Sequence, residues 1–108
     1  REEDWVQVIA RDGAAKILLL DAKKTRCFEN DHGICGTGGC PVVLYRVNGK
    51  QVRKLYDKNV LEWRVTEHDN TKYFHADVHG AHCGQPGNAA CEIFVDLSNG
   101  AITTRQPQ

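Results

Sequence analysis

The residues best equipped for chemistry are five cysteines and five histidines in a chain of 108 residues. Cys27, Cys35 and Cys40 lie in "CFENDHGICGTGGC", whereas Cys83 and Cys91 bound "CGQPGNAAC". Cysteines so dense in a small chain serve as cross-links, metal ligands or redox thiols. The redox spacing C-x-x-C is missing, because four residues separate Cys35 from Cys40. A phosphate loop is excluded as well, since Pro41 follows "CGTGGC" where a lysine and a hydroxyl would be needed. Cross-linking is the favoured reading, with two free cysteines, one of them buried, as the alternative for Cys83 and Cys91. Gly84, Pro86 and Gly87 turn the chain so that Cys83 and Cys91 can meet. Closing that loop removes denatured-state entropy worth about 2.6 kcal/mol in the chain-entropy account.

The first cluster holds three cysteines, so one is left over. Cys35 with Cys40 is the favoured pair, because the glycines between them let the chain double back. Cys27 with Cys40 is the alternative. In the favoured scheme Cys27 is the free thiol, either buried or able to link two copies, so the chain is expected to be a monomer or a disulfide-linked homodimer.

The histidines carry the rival reading. His79 and His82 flank Gly80 and, with Cys83, could converge in a turn as a small metal or redox site. His75 and His79 share a strand face about 13 Å apart. Asp77 lies between them on that face and makes a polar patch or an acid–base pair. His32 and His68 each adjoin an aspartate in a loop or turn and read as solvated. The only serine, Ser98, has no supporting motif, and "ENDHG" lacks the alternating oxygens of a calcium loop. No catalytic residue, metal or cofactor is therefore assigned, and the expectation is a protein that is not an enzyme.

The elements that must position these residues read mainly as β-structure. Glu2, Glu3 and Asp4 precede Trp5, Val8 and Ile9, which recur at helical spacing, and Gly13 is a natural stop. The spacing predicts a short helix over about 2–12. "AKILLL" is a strand-length apolar run. From about 41 to 105 the pattern is an antiparallel meander. Asn48-Gly49 predicts a tight turn with Tyr45 opposite Val52 and Val42 opposite Leu55. A turn at Asp69-Asn70 predicts Val65 opposite Phe74, Trp63 opposite Ala76 and Leu61 opposite Val78. Asn99-Gly100 predicts Leu97 opposite Ile102 and Val95 opposite Thr104. The expected fold is α+β, mainly β: about six strands with one N-terminal helix packed on one face, stapled by disulfides, in a single domain over 1–108.

Composition narrows the class. Fourteen basic and fourteen acidic side chains give a formal charge of +0, so no bulk field draws nucleic acid. The apolar runs are too short to span a bilayer. There is no methionine, so Arg1 is not a translation start, and a cleaved secretory signal peptide is expected. With the cysteines, this places the chain in the periplasm or outside the cell.

"CGTGGC" before a strand, "NVLEWRV", and "HGAHCGQPGNAAC" before a final strand are together similar to an uncharacterised family of small exported bacterial proteins. That family shows C-G-[ST]-G-G-C and H-G-x-x-C-G-x-x-G-x-x-x-C elements, and the resemblance spans Cys27 to about Ile102. Relatives carry an acidic D-x-N-x-D-G turn that "LLDAKKTRCFEND" lacks, so a calcium role does not carry over. The resemblance implies export and disulfides but no activity.

The expected function is a non-enzymatic periplasmic or secreted binding domain for a protein partner or envelope component, in its specific form an enzyme inhibitor or immunity-type protein. The stapled loop carrying His79, His82, Gln85 and Asn88 is the candidate contact, because a constrained loop loses little entropy on binding.

Overall fold

The computed structural model describes residues 6–21, 39–84 and 90–105. Eight strands follow in chain order: β1 (Val6–Asp12), β2 (Ala15–Asp21), β3 (Cys40–Asn48), β4 (Gln51–Val60), β5 (Glu62–His68), β6 (Thr71–His79), β7 (Ala90–Asp96) and β8 (Ile102–Arg105). A 3₁₀ turn, Gly80–Cys83, caps β6. The strands form two antiparallel sheets, ordered β1-β2-β3-β4 and β5-β6-β7-β8. Each is a simple meander, as hairpin connections require.

The two sheets share one core. Ile17, Leu19, Val42 and Leu44 from the first meet Phe74, Ala76, Val78, Ile93 and Val95 from the second. Tyr56 of β4 and Trp63 of β5 both lie 5.8 Å from the Phe74 ring, centroid to centroid, and tie the sheets together near the connection between them. Alternation explains the selection: from Phe74 onward every second residue of "TKYFHADVH" is buried, with Phe74, Ala76 and Val78 inward.

The expected α+β fold with its N-terminal helix is corrected here. Val6–Asp12 is a strand paired with β2, no α-helix occurs among the described residues, and there are eight strands rather than about six. A β-bulge accounts for the misleading pattern. The β1–β2 register shifts between Val8 and Ala10, so Ile9 is an extra residue that still packs on the core beside Ala10. That insertion breaks the two-residue period and imitates helical spacing. Gly13, read as a helix stop, is instead in the β1–β2 turn at φ 59°. The apolar face assigned to the helix is covered by a second sheet.

Of the three hairpin registers, one holds at its centre. Asp69 and Asn70 both adopt positive φ, and Val65 faces Phe74 while Trp63 faces Ala76. Leu61 sits just outside β5 and is exposed, although its N–H still donates to the Asp77 carbonyl at 2.8 Å. In the β3–β4 hairpin the turn falls on Gly49 and Lys50, so Asn48 pairs with Gln51 and Tyr45 with Lys54. A further shift after Leu44 takes Val42 to Lys58 rather than Leu55. In the last hairpin Val95 pairs with Ile102 and Ile93 with Thr104, because the connection is a longer loop closed by Gly100 donating to the Asp96 carbonyl. Each slip moves partners by an even number or across a bulge, so the inward set is kept.

Candidate functional site

Cys83 and Cys91 form a disulfide with Cα atoms 6.5 Å apart, joining the 3₁₀ turn to β7. This is the expected pair. Cys40 is also disulfide-bonded, and its partner lies outside the described residues, as do Cys27 and Cys35. Gly39, the last glycine of "CGTGGC", is buried at φ 102°, and a Cβ there would overlap the Val60 carbonyl. That glycine lets the chain enter β3 against the end of β4, which is a packing role.

Of the loop residues expected to make contact, the structure describes His79 in full and His82 by its backbone. His79 ends β6, half-buried and paired with Ala90. His82 lies in the 3₁₀ turn, and Gln85 and Asn88 are outside the described residues. Cys83, offered as a metal or redox residue with His79 and His82, is consumed by its disulfide and carries no thiolate.

The geometry gathers a different set on the solvent face of the second sheet. One row across it runs Arg64, His75, Phe94, Thr103, and the next runs Glu62, Asp77, Glu92, Arg105. Arg64 donates from both terminal nitrogens to the Asp77 carboxylate, at 3.4 and 3.2 Å. Arg105 donates from Nε and Nη2 to Glu92 Oε1 at 2.8 and 2.6 Å. His75 and Phe94 stack with centroids 4.1 Å apart, and the Arg105 guanidinium carbon lies 5.1 Å from the Phe94 centroid. Tyr73 meets Phe94 edge-on at 6.2 Å. Planar groups thus stand side by side, each limiting the rotamers of the next.

His75 is the pivot of this cluster. Its Nε2 lies 3.2 Å from Arg64 Nη2 and 3.1 Å from Glu92 Oε2. An arginine only donates, so Nε2 must be bare to accept from Arg64, whereas it must carry a proton to donate to Glu92. The two bonds are alternatives. Glu92 itself is held below the ordinary carboxylate range, first by the hydrogen bond from Arg105 and then by that from His75, against the opposing effect of burial. A carboxyl kept ionised in this way is a poor general acid at neutral pH.

Donor atoms of His75, Asp77 and Glu92 all lie within 4.8 Å of one another, a set with the composition of a metal site. Arg64 Nη2 stands among them, 3.2 Å from His75 Nε2, 3.2 Å from Asp77 Oδ1 and 3.8 Å from Glu92 Oε2. The guanidinium fills the position that a cation would take, so the residues present fit an arginine-bridged network better than a metal. Ser98 does not join the cluster, because its hydroxyl donates to Asp96 at 2.6 Å within the last turn.

Beside the cluster the same face carries an open groove of about 520 Å³, bordered by Thr66, His68, Tyr73, Phe94, Thr103 and Arg105. No family model matches the chain, and neither a curated protein nor a solved structure matches it.

The sequence reading found His75 and Asp77 and missed Arg64, Glu92, Phe94 and Arg105. The signal was present in "EWRVTEH", "ACEIFVD" and "ITTR", whose outward positions alternate with the core residues. What it lacked was the β6–β7 pairing, which joins two segments separated by the cysteine loop.

Proposed function

We propose that this chain is a non-enzymatic binding domain of the periplasm or extracellular space, and that it presents the solvent face of β5–β8 to its partner. The observation that carries this reading is the cross-linked row of planar and charged groups from Arg64 to Arg105, lying beside a groove. Arginine and aromatic side chains are the residues most often dominant in protein contacts, and a set already ordered by its own ion pairs loses little entropy on binding. The disulfide at one end of β7 supports both rigidity and an oxidising location. The finer form, an inhibitor or immunity-type protein, fits a partner whose cleft admits the stapled loop after Cys83 together with this face.

Capture from envelope extract with immobilised, oxidised protein tests the proposal. A partner should be retained by the wild type and by Val52→Glu on the other sheet, and lost with Thr103→Glu or Arg105→Ala. Retention that ignores both face variants, or substrate turnover without any retained partner, contradicts it.

A further inference from the structure

We propose that Asn48–Gly49, at the tip of the β3–β4 hairpin, is a site of spontaneous covalent modification. There the Asn48 side chain closes onto the Gly49 nitrogen and reopens as aspartate or isoaspartate. The reaction is easiest where the residue after the asparagine has no side chain, because its backbone nitrogen must swing onto the asparagine Cγ. The chain holds that pair twice, at Asn48–Gly49 and at Asn99–Gly100. The structure leaves the first free and ties down the second. Asn48 pairs with Gln51 to close β3 onto β4, and Gly49 and Lys50 make the turn. Asn48 and Gly49 are exposed, Gly49 has φ 63°, and nothing lies within 4 Å of the place a side chain would take there. Neither the Asn48 carboxamide nor the Gly49 N–H is hydrogen-bonded among the described residues.

At Asn99–Gly100 the same atoms are already in use. Asn99 Oδ1 accepts from the Ala101 N–H at 2.8 Å, and the Gly100 N–H donates to the Asp96 carbonyl at 2.7 Å. The Asn99 carbonyl accepts from Arg53 at 2.9 Å, and a Cβ at Gly100 would stand 3.2 Å from Leu55, so this turn is packed against the first sheet. Attack there must first break the bonds to Asn99 Oδ1 and from Gly100, a factor of roughly thirty in rate at ordinary net hydrogen-bond strength.

Charge favours Asn48 a second way. It borders an open groove with Arg46, Gln51, Val52 and Arg53. Arg46 and Arg53 stand directly opposite each other in the register; Arg46 is paired with Asp12, whereas Arg53 donates to a neutral carbonyl. The groove therefore keeps an unmatched positive charge, which favours the anionic form of a nitrogen that must lose its proton to attack. In the closing step the Gly49 N–Cγ bond forms and the Cγ–Nδ2 bond breaks. The carboxamide nitrogen leaves as ammonia, with the proton from Gly49. Solvent water then adds to one of the two imide carbonyls and that carbon–nitrogen bond breaks. Opening at Cγ restores the backbone and leaves an aspartate carboxylate beside the arginines; opening at the backbone carbonyl routes the chain through Cγ as isoaspartate.

The test is to age the oxidised protein in warm, mildly alkaline buffer, with and without denaturing urea, and to locate the products by peptide mass spectrometry with fragmentation. In the folded protein Asn48 should convert to the acid roughly thirty times faster than Asn99. Its peptide should resolve into two products of equal mass, aspartate and isoaspartate. In urea the two sites should convert at similar rates, because both are then Asn-Gly pairs in an open chain. Arg53→Gln, checked for a wild-type circular-dichroism spectrum, should slow Asn48 severalfold in the folded protein. A folded protein in which Asn48 persists as long as Asn99, or a ratio of rates that urea leaves unchanged, overturns the proposal. An Asn48 rate indifferent to Arg53→Gln removes the arginines from it.

Discussion

The two sheets are built from the same hairpin grammar and share one core, yet their outer faces differ in kind. On the first sheet the outward rows centre on valine, leucine and tyrosine, with Arg11 and Lys16 in the row that leads to Val52 and the Lys54–Asp57 ion pair at the β4 rim. On the second sheet the outward rows hold Arg64, His75, Asp77, Glu92, Phe94 and Arg105, linked to one another by ion pairs, hydrogen bonds and ring stacking. An apolar outer face gains by being covered, whereas an ion-paired face is stable in water and can be presented to a chosen partner. The same β-scaffold thus carries two outer faces of opposite chemistry.

The comparison can be broken first at the shared core. Phe74 is fully buried and touches both Tyr56 and Trp63, so Phe74→Ala should lower stability by about 3–5 kcal/mol. Urea unfolding followed by tryptophan fluorescence and by far-ultraviolet circular dichroism should show one coincident transition. Separate transitions would mean that the sheets are independent.

Next in size is the staple that joins β7 of the second sheet to the 3₁₀ turn. Replacing Cys83 and Cys91 together by serine should cost about 2.6 kcal/mol, measured as a shift in urea midpoint at constant slope. An unchanged midpoint would remove covalent stiffening from the account.

Smaller still is the ion-pair network. Glu92→Gln should cost about 1 kcal/mol, because Arg105 is largely exposed and solvent screens the pair. The sign with pH is fixed. The carboxyl of Glu92 is lowered in the folded state, so its contribution is complete above the ordinary carboxylate range and disappears as pH falls through the lowered value. Wild type and variant should therefore converge in acid when thermal midpoints are compared. Convergence at alkaline pH instead would contradict the assigned cause.

The smallest effect sharpens the inner side of the first sheet. Tyr56 is buried, its hydroxyl has no hydrogen-bond partner among the described residues, and burial pushes the phenol up to about 12. Tyr56→Phe removes an unsatisfied group and should leave the melting temperature unchanged or raise stability by up to about 1 kcal/mol. A clear loss would show that the hydroxyl is bonded.

Local chemistry decided which parts of this architecture could be read from residues alone. Asp69-Asn70 states its turn in two residues, and the alternation on either side gives Val65–Phe74 and Trp63–Ala76 directly. Cys83 and Cys91 were legible because glycine and proline between them leave few other ways for the chain to run. The first strand was not legible, since a bulge at Ile9 disguises a period of two as one of 3.6. The site was half legible for a related reason. His75 and Asp77 share a strand and the legible β5–β6 register sets Arg64 opposite His75, but Glu92 and Arg105 reach them only through the β6–β7 and β7–β8 pairings, which single-strand spacing cannot supply.

Sulfur bridges tie down both sheets, Cys83–Cys91 on the second and one from Cys40 on the first, and counting thiols tests this most directly. The natively purified, unreduced protein, unfolded in the presence of an alkylating reagent and weighed by mass spectrometry, should take up one adduct per chain, because two of its five cysteines are joined to each other and Cys40 to a third. Five adducts per chain would contradict the account.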